Sequence, residues 1–391
     1  MKKILLHTAI LLTLIFPEST IVAQNKASFT INWSLLASLP QPVKAQTAGL
    51  AGAFTGASGK TIWIAGGANF SNGLPWEGGT KILHDTIFFF HRKGQHAALL
   101  PQRNRLPFAV AYGVSIPMQK GVACIGGQTN TGFSEKAFIA KLTDDAANLT
   151  IENLPDLPTG VANAAGTVAG NKIYIAGGET VTGVVSSFLC LDLSTTQPRW
   201  KKLADLPQAV SHTMLVAQSY KNETALYLIG GRRKERSGIS EFFATVYRYN
   251  SKADTWESCA PLPYPISAHT GVTHGTQQIL VLGGDKGLVF GKVEKALVAI
   301  EKETDAAKKA QLIKEKNEWQ NTHPGFSREI LLYNTDKDTW ETAGSLPFPT
   351  PVTTQAFTWG KDIILPSGEI KAGVRSPAIW IGKITDHVKK K

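Results

Sequence analysis

The sequence predicts an all-β fold, a six-bladed propeller with a helical insertion in blade five. Two observations carry the prediction. Short apolar runs end in a glycine doublet five times: Gly66–Gly67, Gly126–Gly127, Gly177–Gly178, Gly230–Gly231 and Gly283–Gly284. A sixth run, IILPSG, ends at Ser367 and Gly368. Each run follows a Leu-Pro pair, with prolines Pro40, Pro107, Pro158, Pro207, Pro263 and Pro347. The spacing, roughly 50 to 60 residues, is that of one four-stranded blade. A chain of 391 residues split by length alone would give two or three domains; six copies of one unit give a single closed ring.

The first segment, Met1 to Ala23, has the layout of a secretory signal. Lys2 and Lys3 precede an apolar stretch from Ile4 to Phe16, too short to span a bilayer comfortably, and Ala23 offers a small residue before Gln24. The expected organisation is therefore a signal peptide over 1–23 and one propeller over 24–391. Export to a bacterial periplasm and no membrane span after signal removal follow from it. Cleavage would lower the formal charge from +11 only slightly. A basic exported protein suits anionic small molecules. No ladder of basic and aromatic residues is present, so nucleic acid is not an expected partner. Cys124, Cys190 and Cys259 show no zinc spacing and read as buried thiols.

Residues 159–202 give the clearest blade. VANAAGTVAG is read as the inner strand a, NKIYIAGG as b, VVSSFLCLDL as c, and the segment through Trp200 as d. Trp256 and Trp340 repeat the role of Trp200 in YNSKADTW and YNTDKDTW, where Tyr and Trp should sit on neighbouring strands c and d. This arrangement of Gly-Gly, Tyr and Trp resembles the kelch repeat, which specifies a fold and says almost nothing of function. At the N-terminus, FTINWSLLASLP has the character of a last strand without the rest of its blade. The C-terminal segments TTQAFTWG, KDIILPSG and SPAIWIGKI supply strands a, b and c, so the strand around Trp33 should close the ring beside Trp380. Between Gly284 and REILLYN, residues 285–328 are rich in Ala, Lys and Glu and read as helix, either a solvated excursion or a lid.

Two positions per blade should face the central opening. The first, after the Leu-Pro pair, is read as Gln46, Tyr112, Asn163, His212, His269 and Gln355. The second, after the doublet, is read as Asn69, Gln128, Glu179, Arg232, Asp285 and Glu369. Of these, Asn69, Tyr112, Gln128, Asn163, His212, Arg232, His269 and Gln355 are the candidate substrate-binding residues. In SGEIKAGVRSPAIW, Glu369 follows the glycine at once and Arg375 returns across Gly373. Taken alone, the pair is either a loop salt bridge or a catalytic couple.

The segment GEIKAGVR resembles the Gly-Glu, Gly, Arg loop of the N-acetylneuraminate epimerases, or sialic acid mutarotases. AYGVSIP with IGGQTNTG, LAGAFTG with IAGGANF, and the helical insertion are similar to segments of that family as well. The order differs, because this loop lies mid-chain in better-known members and in the last blade here; the chain resembles a cyclically permuted member. The resemblance implies an isomerase that interconverts the anomers of sialic acid, with Glu369 and Arg375 as the catalytic pair. Mutarotation needs a proton moved from the anomeric hydroxyl and one moved to the ring oxygen, and requires neither metal nor nucleotide. Glu369 is then the base, Arg375 the bidentate anchor for the sugar's carboxylate, and His212, His269 or Tyr112 the ring-oxygen donor. Two alternatives stand beside it: a mutarotase or isomerase of another sugar, and a non-catalytic propeller that binds glycan or protein. The Ser-x-Asp-x-Gly-x-x-Trp boxes of sialidases are absent, and no set of copper ligands with a Cys-Tyr pair stands out.

Overall fold

Six antiparallel sheets, five of four strands and the first of five, follow one another along the chain and close into a ring. The computed structural model describes residues 29–40, 49–101, 104–143 and 148–387. The signal-like segment 1–23, Gln46 and the terminal lysines lie outside the described residues. Blade three shows the logic. Its second strand, Lys172–Ala176, reads KIYIA and is buried from Ile173 onward, because adjacent blades cover both faces. Its outermost strand, Trp200–Lys202, is half-buried to exposed. Tyr249 lies opposite Trp256, and Tyr333 opposite Trp340, across strands c and d. Each Trp indole donates to a carbonyl before its own blade: Trp200 to Pro155, Trp256 to Ala204, Trp340 to Ala260.

The apolar core is not one mass but six clusters, one at each interface between neighbouring blades. The strand Phe29–Ser38 closes the ring by pairing antiparallel with Ala378–Asp386, Trp33 opposite Gly382 and Leu35 opposite Trp380. It belongs to two interfaces at once. Phe29 packs with Val272 and Leu280 of blade five, and Leu36 with Ile62 and Ile64 of blade one.

The doublets work by close approach. A Cβ on Gly177 would lie 2.2 Å from the carbonyl oxygen of Val210 in the next blade. That same oxygen accepts the N–H of Gly178 at 2.8 Å. In blade six Ser367 replaces the first glycine, and its hydroxyl accepts from the Leu50 N–H at 2.7 Å. Beyond the doublets, five blades carry a two-stranded ribbon above the disc: Ala68–Ser71 with Thr80–Leu83, Gln128–Thr129 with Gly132–Phe133, Glu179–Thr180 with Gly183–Val184, Arg232–Lys234 with Ser240–Phe242, and Gly368–Lys371 with Val374–Ser376. Blade five carries two helices instead, α1 (Leu288–Lys302) and α2 (Ala306–Asn321). They are docked. The buried Glu294 of α1 accepts from the Ser240 N–H at 2.6 Å and the Ser240 hydroxyl at 3.0 Å, and Phe290 packs edge-on against Phe242. The cysteines form no disulfide.

Candidate active site over the hub

Where each innermost strand begins, one residue has a left-handed backbone: Gly52, Tyr112, Asn163, His212, Ala268 and Thr353, with φ between 50° and 64°. Their backbones form a closed circle. Tyr112 N–H donates to Gly52 O, Asn163 to Tyr112, His212 to Asn163, Ala268 to His212, Thr353 to Ala268, and Gly52 back to Thr353, at 2.7–3.4 Å. The residue before each makes a single antiparallel bridge to the residue after its doublet: Ala51 to Ala68, Ala111 to Gln128, Ala162 to Glu179, Ser211 to Arg232, Ser267 to Asp285, Val352 to Glu369. These bridges fix the two positions per blade that reach the hub.

The circle is a floor between two cavities. Below it a channel of about 320 Å³ runs between the inner strands. Above it a cavity of about 430 Å³ is enclosed by the ribbons on one side and by α1 and the segment after α2 on the other. Trp76, in a short 3-10 turn of the blade-one ribbon, donates from its indole to Asn321 Oδ1 at 2.8 Å, so the ribbon and the helical hairpin meet across the mouth. Phe70, Trp76, Phe290 and Phe326 line the upper cavity together with Lys81, Glu179, Arg232 and Glu369.

The expected residues distribute unevenly. Tyr112, Asn163, His212, Gln128, Arg232 and Glu369 all border the upper cavity. His269 and Gln355 do not; they lie one and two residues past the ring positions, which belong to Ala268 and Thr353. Gln355 Oε1 accepts the Ser115 N–H at 2.6 Å and closes off a strand edge inside the channel. His269 is buried between blades against Gly230 and Gly284, its ring beside the Ile229 backbone. Neither is placed to contact a ligand above the floor, and His269 is not a donor to a ring oxygen there. Asn69 is one residue past the bridge and buried; its Oδ1 pairs with His84 Nε2 at 2.8 Å. Sequence reasoning missed Lys81, Trp76, Phe290 and His323 as lining residues. The WEGG segment around Trp76 offered a turn signal, but the others sit on a ribbon, on α1 and in the segment after α2, none of which the repeat encodes.

Glu369 and Arg375 face each other across the blade-six ribbon, and Gly373 makes the return with φ +71°. Arg375 Nη2 lies 3.3 Å from Glu369 Oε2, and Gly373 N–H donates to Oε1 at 3.2 Å. Burial raises the Glu369 carboxyl above its ordinary value, opposed by the Arg375 charge and the Gly373 hydrogen bond. A carboxylate raised in this way is a better base near neutral pH. Arg375 itself is buried, with its guanidinium 4.2 Å from the centre of the Phe70 ring and Nη2 3.5 Å from the Tyr112 hydroxyl. It does not border the cavity, so the bidentate anchoring expected of it meets a wall. Burial raises the Tyr112 hydroxyl and keeps it protonated.

A second set stands across the floor. Glu179 accepts from Asn163 Nδ2 at 2.9 Å and from the Ser211 hydroxyl at 3.0 Å, with His212 Nδ1 at 3.4 Å. Burial would raise Glu179, but His212, Arg232 and Asn163 outweigh it and hold the carboxyl down at about 2. Burial and the Arg232 charge lower His212, which stays neutral. The hub should therefore be acid-sensitive. Burial lowers His269 from 6.5 to about 4. The unfolded chain then binds the extra proton first, so this contribution is complete above pH 6.5 and lost as pH falls toward 4. The loss is roughly 3 kcal/mol, before Glu179 begins to protonate at lower pH. Melting midpoints from pH 7 to pH 4 should fall steeply in the wild type and less steeply in His269→Gln; equal slopes would remove His269 from the account.

A family model described as N-acetylneuraminate epimerase matches residues 154–390, which include Glu179, His212, Arg232, Glu369 and Arg375. The N-acetylneuraminate epimerase of Haemophilus influenzae (strain PittEE) is 27% identical over 238 residues, 60% of each chain. That of Yersinia pestis (strain Pestoides F) is 27% identical over 248 residues, 62% of this chain and 60% of the relative. The chain thus spans about 60% of the length of these curated relatives. A solved structure titled "Structure of YjhT" shares the fold, with a TM-score of 0.50 and 20% identity over 61% of this chain and 69% of that one. The family model covers more than half of the chain, and the chain belongs to the N-acetylneuraminate epimerase family.

Proposed function

We propose that this protein interconverts the α and β anomers of N-acetylneuraminate by acid–base catalysis in the upper cavity. The observation that carries the reading is Glu369, a carboxyl raised by burial, bordering the cavity above the hub and braced by Arg375 and Gly373. Glu369 takes the proton of the anomeric hydroxyl as the ring opens and returns it after the carbonyl face has turned. Tyr112 gives the ring oxygen its proton as the ring opens and takes it back as the ring recloses, so both residues end as they began. Arginine only donates, so the Tyr112 oxygen accepts from Arg375 Nη2, and the phenol's own hydrogen is left for the ligand. The aromatic wall of Phe70, Trp76, Phe290 and Phe326 suits the apolar face and acyl group of such a sugar.

Export through residues 1–23, a periplasmic location and a cyclically permuted order of kelch-type blades complete the reading. Among the described residues no helix is long and apolar enough to cross a membrane. Matches near 60% of both chains accord with a permuted order, since a linear alignment follows such a pair only part of the way.

The test is one-dimensional proton NMR of freshly released α-N-acetylneuraminate with and without purified protein. Faster appearance of the β anomer across pH 6 to 8 is expected. No acceleration over buffer would overturn the assignment.

A further inference from the structure

The two arginines at the hub differ in what their charges meet. Arg375 already has a carboxylate, Glu369, and only 3% of its side chain is exposed. Its Nε and Nη1 are buried without an acceptor among the described residues, and the Phe70 ring lies over the guanidinium. A ligand reaches those donors only if Phe70 leaves. Arg232 is the reverse. It borders the cavity, and among the described residues no carboxylate lies within ion-pair distance of it. Glu179, Asp285, Glu294 and Glu369 act on its charge from beyond that distance, and none of them occupies the guanidinium edge that faces the cavity.

The surroundings of Arg232 also fix its plane. Nη1 donates to the Ser267 hydroxyl at 3.3 Å, Nη2 meets His212 Nε2 at 3.2 Å, and the Phe290 ring centre is 4.5 Å away. Arginine cannot accept, so His212 must accept at Nε2 and carry its proton on Nδ1. Glu179, 3.4 Å from Nδ1, selects that tautomer. The two contacts engage one N–H on each terminal nitrogen. Further N–H groups remain, enough for a carboxylate fork.

We propose that Arg232 binds the carboxylate of the substrate, that Glu179 and His212 are positioning residues for it, and that Arg375 is a positioning residue for Glu369 and Tyr112. This rests on the reading of an acidic sugar above the hub. It exchanges the roles that the loop motif suggests and makes Arg232 the determinant of preference for an acidic over a neutral sugar.

The experiment compares N-acetylneuraminate with its carboxyl-reduced analogue, by calorimetric binding and by NMR anomerisation. The wild type should prefer the acid by roughly 10- to 100-fold, the range for a charged hydrogen-bonded contact. Arg232→Gln should bring the two sugars within about threefold of each other, and Arg232→Lys, which keeps charge and stem, should fall between. His212→Leu should raise KM for the acid alone, and His212→Gln, which restores an acceptor for Arg232, should recover it. Arg375→Lys should lower kcat while the preference persists. Preference retained in both Arg232 variants and lost in Arg375→Lys would overturn the inference and leave the proposed reaction standing. Tight, Arg232-dependent binding of the acid without any acceleration would overturn the reaction and leave the anion site standing. Failure of the wild type to bind the acid sugar would overturn both.

Discussion

Glu369→Gln is expected to reduce anomerisation by about 10²- to 10⁴-fold, the contribution of one positioned base. The amide keeps an oxygen for the Gly373 N–H, but its nitrogen then confronts Arg375 Nη2 as donor against donor. The variant therefore loses a base and also strands a buried guanidinium. Breaking one side of such a pair costs about 3 kcal/mol, so its melting midpoint should fall with the rate. Binding of the sugar should change little, because Arg232 makes no direct contact with this pair and feels Glu369 only as a more distant charge. The wild-type rate should decline with acid as the carboxylate protonates. Burial raises that carboxyl, so the decline begins above the ordinary range, and it should vanish in Glu369→Gln. Unchanged acceleration by a folded Glu369→Gln protein would remove Glu369 from the chemistry.

Removal of residues 29–38 is expected to abolish cooperative folding. Phe29 and Leu36, 3% and 1% exposed, would vanish from two interfaces together, and Leu39 would lose its strand. The two deleted side chains alone contribute roughly 3–6 kcal/mol of burial, against a total stability of about 5–15 kcal/mol for a folded domain. The register from Phe29–Asp386 to Ser38–Ala378 disappears as well and leaves blade six with an open edge. Leu36→Asp is the point-variant form of the same experiment. A sharp thermal transition at the wild-type midpoint in the truncated protein would show that the ring holds without its closing strand.

The repeat was legible because its cause is local. A neighbour's carbonyl oxygen 2.2–2.8 Å from a would-be Cβ demands glycine, and the demand recurs at the first glycine of blades one to four. The second hub position was readable for the same reason: Gln128, Glu179, Arg232, Asp285 and Glu369 all make the post-doublet bridge. The first position was harder. Its left-handed backbone is carried by Tyr, Asn, His, Ala and Thr as well as Gly, so no residue type marks it. Tyr112, Asn163 and His212 were found; in blades five and six the nearby polar His269 and Gln355 drew the eye from Ala268 and Thr353. The Glu369–Arg375 pair was visible from spacing, but which arginine faces the ligand depends on Phe70, more than three hundred residues away in sequence and directly over Arg375 in space.

The circle of six backbone hydrogen bonds gives this protein an interchangeable toolset. Every link is main chain to main chain and runs the same way round, so the frame is indifferent to which side chain each link carries. A phenol, an amide, an imidazole, a methyl and a secondary alcohol already occupy five of the six stations. Chemistry can therefore be exchanged at the hub without rebuilding the scaffold, except at Gly52, where a Cβ would strike Tyr112. Ala268, which borders both the upper cavity and the channel below, is the station at which a new functional group could be installed while the other five keep their aim.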